Sequence, residues 1–146
     1  MKNFSVVIKK EISLERVGHL LCSAFESGSY GIGYWGHIDG FKKPTKMEFY
    51  SDASLGREPG APPSIFKHID YPLNPGGAVI IKDDEAEPGK ESRHVLNRAR
   101  LEEGLEAWSK SKEYASSWGD FLSENDDAAT ADVFIQFCLF GEVIYG

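Results

Sequence analysis

The chain has 146 residues, enough for one domain with a real core and too few for two comfortable ones. Hydrophobic residues make up 41% and aromatics 12%, which marks a globular chain with many large side chains to bury. Sixteen basic against 23 acidic residues leave a net charge of -7, which argues against a nucleic-acid binder held by counterion release and permits a protein that meets a basic partner.

In chain order, Phe4–Lys9 alternates Phe4, Val6 and Ile8 with Ser5, Val7 and Lys9, the period of a first strand with one buried face. The start of the chain lacks the long apolar stretch of a secretory signal, and no segment reaches the roughly 20 apolar residues that a bilayer needs. A soluble, cytoplasmic protein without a membrane partner is expected. Ser13 opens a helix whose apolar stripe is Leu14, Val17, Leu21, Ala24 and Phe25, and Gly28 should stop it.

Gly28–Gly40 (GSYGIGYWGHIDG) contains Gly31, Gly33 and Gly36 in G-x-G-x-x-G spacing. The dinucleotide fingerprint needs a strand before and a helix after, and here a helix precedes while His37–Gly40 is not helical, so the match is discounted. What remains is a Gly-rich loop carrying Tyr30, Tyr34 and Trp35. Such rings form either a lid on the core or a stacking platform for a ligand. His37, next to this loop, is the one histidine kept as a site residue.

Lys46–Ser51 is a short strand candidate, Asp52–Ser64 is loop by its Pro and Gly content, and Ile65–Tyr71 reads as weakly extended. Ala78–Lys82 (AVIIK) is a central strand, with Arg93–Leu96 as its hairpin partner across a charged loop. Asn97 caps a helix with Leu101, Leu105 and Trp108 on one face, and Glu113–Glu124 holds a further helical pattern. Last comes Val133–Phe140, eight residues with Gln136 as their one polar side chain. Its length and period fit a buried strand as well as a helix. The lead-in Glu124, Asn125, Asp126, Asp127 and the Ala-rich first turn favour a helix, Ala128–Phe140, capped by Asp127 or Asp126, with Glu142–Tyr145 as an extended tail.

The expected fold is α+β: an antiparallel sheet of three to five strands with three or four helices on one face, in one domain covering 1–146. No Walker loop, HExxH, GxSxG or paired Cys-His spacing is present, so neither an enzyme nor a metal or other cofactor is implied. Cys22 and Cys138 read as free thiols in apolar helices. The acidic group before the last helix, with Asp132, reads as caps and dipole partners rather than a cation site.

Two stretches together, AFESGSYGIGYWG and ENDDAATADVFIQFCLFGEVIYG, resemble a widespread group of small uncharacterised bacteriophage proteins. In that group a helix ends in a Glu-Gly-Gly-Ser-Asn-Tyr-Trp-like segment, matched here by Glu26, Ser27, Gly28, Ser29, Tyr34 and Trp35. The chain closes on Asp-Ala-x-x-Ala-Asp and an apolar run, matched by Asp127, Ala128, Ala131, Asp132 and Phe140–Gly146. The sequence departs by the inserted Tyr30–Gly33 and a long middle region.

The resemblance carries no named activity but implies a phage setting, where small acidic proteins without enzymatic chemistry often counter host defence. One expectation is a sponge for a nucleotide-derived immune signal, with Tyr30, Tyr34, Trp35, His37 and Arg93 as ligand-binding residues and Lys42, Lys43 and Arg93 to hold phosphates. The other is an acidic inhibitor that blocks a host nucleic-acid-handling defence complex without touching nucleic acid. Assembly as a homo-oligomer is compatible with both.

Overall fold

The computed structural model describes residues 3–6, 8–52 and 64–146. Its architecture is α+β, and the last helix, α5 (Ala128–Phe140), runs through the middle of the core. Asp127 is its N-cap, accepting from the Thr130 amide at 2.9 Å and the Thr130 hydroxyl at 3.0 Å. Gly141 closes it at φ 73°, a left-handed conformation that a Cβ disfavours. Nine of its thirteen residues are buried, so the apolar run is covered on nearly all sides. Asp126 does not cap; it pairs with Arg16 at 2.7 Å.

The helices around it begin where their cap residues stand. Ser13 accepts from the Arg16 amide to start α1 (Leu14–Glu26), which buries Val17, Leu20, Leu21 and Ala24. Asn97 does the same with the Arg100 amide for α3 (Arg98–Lys110). α4 (Ala115–Leu122) is shorter than expected at both ends and adds Phe121 to a cluster with Trp108 and Phe134. α5 packs against α1, α3 and α4, and meets α3 most closely at Gly104, whose missing side chain lets the Cys138 backbone approach.

Three strands form one antiparallel sheet in the order β1 (Gly36–Lys42), β2 (Ala78–Asp83), β3 (Arg93–Leu96). The inward parity of β2 and β3, Val79, Ile81 and Leu96, is wholly buried under the helices. The opposite parity, Ile80, Lys82, Arg93 and Val95, is partly or fully open. One residue of β1, Asp39, falls in a register irregularity between Ile38 and Gly40. β2 and β3 stand where the sequence placed them, whereas β1 was not expected as a strand. Two short 3₁₀ turns, Gly28–Tyr30 and Ile32–Tyr34, lead into it, so no helix follows the G-x-G-x-x-G spacing.

Three other expectations are corrected. The described part of Phe4–Lys9 forms no strand, and Phe4, Val6 and Ile8 are 100%, 76% and 81% exposed. The reason is position: the arm leaves α1 at the end tied through Arg16 to Phe121 and Asp126, not at the sheet. Lys46–Ser51 is not a strand either; the Asn74 side chain takes the place of a neighbour, accepting from the Glu48 and Phe49 amides and donating to the Phe49 carbonyl. Ile65–Tyr71 is not extended but opens the short helix α2 (Lys67–Leu73). There the buried Asp70 carboxylate holds the Ser64 hydroxyl and the Ser51 amide, a tertiary contact that overrides the weak local preference. The expected loop Asp52–Ser64 lies mostly outside the described residues.

A side chain at position 104 would meet the Cys138 Cα at 2.8 Å and its nitrogen at 2.9 Å. Backbone cannot yield as a flexible side-chain tip can. Gly104→Ala should therefore lower unfolding free energy by about 1–3 kcal/mol despite alanine's better helix propensity, as read by urea denaturation.

Candidate functional site

Four of the five residues nominated from sequence separate into two places, and the fifth, Tyr30, stands apart. Tyr34 and Trp35 turn towards α5, where Asp132 receives both: the Tyr34 hydroxyl donates at 2.6 Å and the Trp35 indole N–H at 2.7 Å. Trp35 is fully buried, stacked on Tyr145 at 5.4 Å and tilted against Phe140 at 5.6 Å. It has no free face for a ligand, and the loop is a lid on the core. Tyr34 keeps 41% of its surface, but burial and the Asp132 hydrogen bond raise its hydroxyl pKa. Tyr30 is 82% exposed at the tip of the first 3₁₀ turn and joins neither group through a contact.

Gln136 completes the internal anchor. Its Nε2 donates to Asp132 at 3.1 Å and to the Tyr145 carbonyl at 3.2 Å, and its Oε1 accepts from the Ile144 and Tyr145 amides, both at 2.9 Å. A buried amide thus acts as a strand neighbour for the tail and leaves none of its own polar atoms unpaired. The Tyr145 hydroxyl then donates to Asp83, at the end of β2, at 2.7 Å. Asp132 therefore belongs to the core, and among the described residues no group of His, Cys, Asp and Glu is arranged to hold a metal.

His37 and Arg93 stand elsewhere, on the open face of the sheet. In register, His37 pairs with Lys82, and Lys82 with Arg93, so the three side chains form one row across β1, β2 and β3. At about 4.8 Å per strand the outer two are roughly 10 Å apart. His37 Nδ1 meets Asp84 at 2.8 Å, and Arg93 Nε of β3 meets Asp39 of β1 at 2.8 Å, an ion pair that crosses the open face of β2. Lys82 sits between them and forms no ion pair among the described residues. The next row along the strands, Gly40, Ile80 and Val95, is apolar, with Val95 46% exposed.

The open face thus presents His37, Lys82 and Arg93 in one row, crossed by the Asp39–Arg93 ion pair, beside an apolar row. Lys82 was not nominated from sequence; its signal was its parity with Ile80 in AVIIK, which needs β1 and β3 in register to carry meaning. Of the phosphate-holding candidates, Arg93 is in the row, whereas Lys42 lies on the same face at the other end of β1 and Lys43 is just beyond it. Compared with family models, curated proteins and solved structures, the chain shows no significant match.

Two outcomes follow from the internal anchor. Trp35→Ala should cost roughly 3–5 kcal/mol of stability and remove a blue-shifted component of the tryptophan emission, both without any ligand; near wild-type stability would mean the ring does not pack. Burial and the Asp83 hydrogen bond push the Tyr145 hydroxyl up to about 12. Because the folded value lies above the ordinary one near 10, that contact's stabilisation is present below pH 10 and lost as pH rises through about 12. Tyr145→Phe should abolish this part of the alkaline decline in denaturation midpoint.

Proposed function

We propose that the chain is a phage-encoded counter-defence protein that binds and sequesters a nucleotide-derived immune signal without transforming it. The observation that supports this best is the His37–Lys82–Arg93 row, in which Lys82 forms no ion pair among the described residues while His37 and Arg93 each meet a carboxylate. A phosphate on Lys82 replaces the missing counter-charge and gains charge-assisted hydrogen bonds from its neighbours. The half-buried Ile80 and the exposed Val95 side chains give a base or sugar an apolar surface next to it. The phage setting rests on the resemblance of Asp127–Gly146 and the Glu26–Trp35 segment described above. The binding surface is the sheet face rather than the aromatic loop, since Trp35 is enclosed.

A specific observation also favours an acidic inhibitor of a host defence complex. The β2–β3 loop exposes Asp84, Glu85, Glu87 and Glu91 around one cation, Lys90. That loop is a concentrated negative surface for a basic protein partner.

Calorimetric titration with a panel of cyclic and ADP-ribose-type nucleotides tests the first reading. Binding by the wild-type protein and a loss of about tenfold or more in Lys82→Gln, with the circular dichroism spectrum unchanged, is the expected result. No heat with any member of the panel sinks it, and salt-sensitive capture of a host protein that Glu85→Gln and Glu87→Gln weaken would install the second.

A further inference from the structure

The open face does not end at the row described above. Past the apolar strip, Lys42 of β1 stands opposite Ala78 of β2. Beside them is a cavity of about 230 Å³ whose lining includes Lys42, Ala78, Val95, Asn97 and Arg98. Lys42 forms no ion pair among the described residues, and Arg98 reaches Glu102 only at 3.9 Å with both side chains well exposed. The face thus carries basic groups at both ends and apolar residues between, with the Asp39–Arg93 ion pair crossing β2 at the Lys82 end. From Lys82 to Ala78 is four residues along one strand, about 13 Å, which is too far for one phosphate to engage both ends.

We infer that this face recognises a nucleotide-type ligand by two separated anionic groups, one on His37, Lys82 and Arg93 and the other on Lys42 and Arg98, with its uncharged middle over Gly40, Ile80 and Val95. The inference rests on the nucleotide reading above and narrows its ligand class. A mononucleotide satisfies one end only. Each end is solvent-exposed, so a single charge contact there holds an anion only weakly. Joining two anions at the right span makes the second contact intramolecular, so binding strengthens without any new chemistry. The apolar middle row suits the face of a base or sugar and offers nothing to a third phosphate.

The test compares a nucleoside 5′-monophosphate with a linear dinucleotide phosphorylated at both ends and joined by an uncharged methylphosphonate linkage, using wild type, Lys82→Gln and Lys42→Gln. Wild type should bind the dinucleotide at least tenfold more tightly. Lys82→Gln should weaken both ligands, whereas Lys42→Gln should bring the dinucleotide down to the level of the monophosphate and leave the monophosphate unchanged. Equal affinity of wild type for the two, or a dinucleotide affinity indifferent to Lys42→Gln, overturns two-point recognition while leaving nucleotide binding intact. Failure of wild type to bind either ligand overturns two-point recognition, and the panel of cyclic and ADP-ribose-type nucleotides decides the nucleotide reading separately. Unfolding curves of the two variants, expected to overlay on wild type, exclude a folding defect, since both side chains are on the sheet surface.

Discussion

The carboxylate of Asp132, 7% exposed on a helix that is otherwise apolar, is the constraint on which the two ends of this fold depend. Burying a carboxylate without partners costs far more than a domain of this size can absorb, so its position demands donors. Three come to it: the Tyr34 hydroxyl, the Trp35 indole and the Gln136 amide. Two of these belong to the Gly-rich loop, and the third also holds the tail. Loop, tail and helix are thereby fixed to one another, and the Trp35–Tyr145 stack fills the space between them. Through Tyr145 and Asp83 the same network reaches the end of β2.

This anchoring has a consequence for the site. Trp35 is fixed inside, and its carbonyl accepts from the Asp84 amide, so β1 begins in defined register with β2. That register aligns His37 with Lys82 and Arg93. The chain's net charge of -7 opposes an approaching anion, but at physiological ionic strength charges more than about 8 Å away are largely screened. Within that radius Asp84 contacts His37 and Asp39 contacts Arg93, which leaves Lys82 as the basic group of the row without an ion pair among the described residues.

Much of the helical layer was legible because its signals are local. Ser13, Asn97 and Asp127 cap helices where they stand, and the apolar periods of α1, α3 and α5 mark their buried faces. β2 was legible as a short β-branched run. β1 was not: Gly36 and Gly40 dilute its pattern, and the irregularity at Asp39 breaks its alternation. α2 and the stretch before it depend on the side chains of Asp70 and Asn74 reaching 19 to 26 residues back along the chain, which no local window contains. For the site, His37 and Arg93 were accessible as isolated basic residues, and Lys82 was hidden because a lysine ending a strand looks like ordinary solubility charge. Trp35 was misplaced among ligand-binding candidates since an aromatic in a Gly-rich loop has the same sequence whether it faces out or in. Only the Asp132 partner, 97 residues away, distinguishes the two.

The central claim is that Asp132 and Gln136 tie the loop and the tail to the core, and so set β1 in register. Amide hydrogen exchange on Asp132→Asn against wild type measures this directly. Replacing one carboxylate oxygen by an amide leaves the side chain's size unchanged and removes one acceptor for the Tyr34 and Trp35 donors. The account predicts faster exchange in 28–42 and 142–146, with α3 and α4 retaining wild-type protection. Unchanged exchange in those two segments, or a uniform loss across all helices, would contradict it.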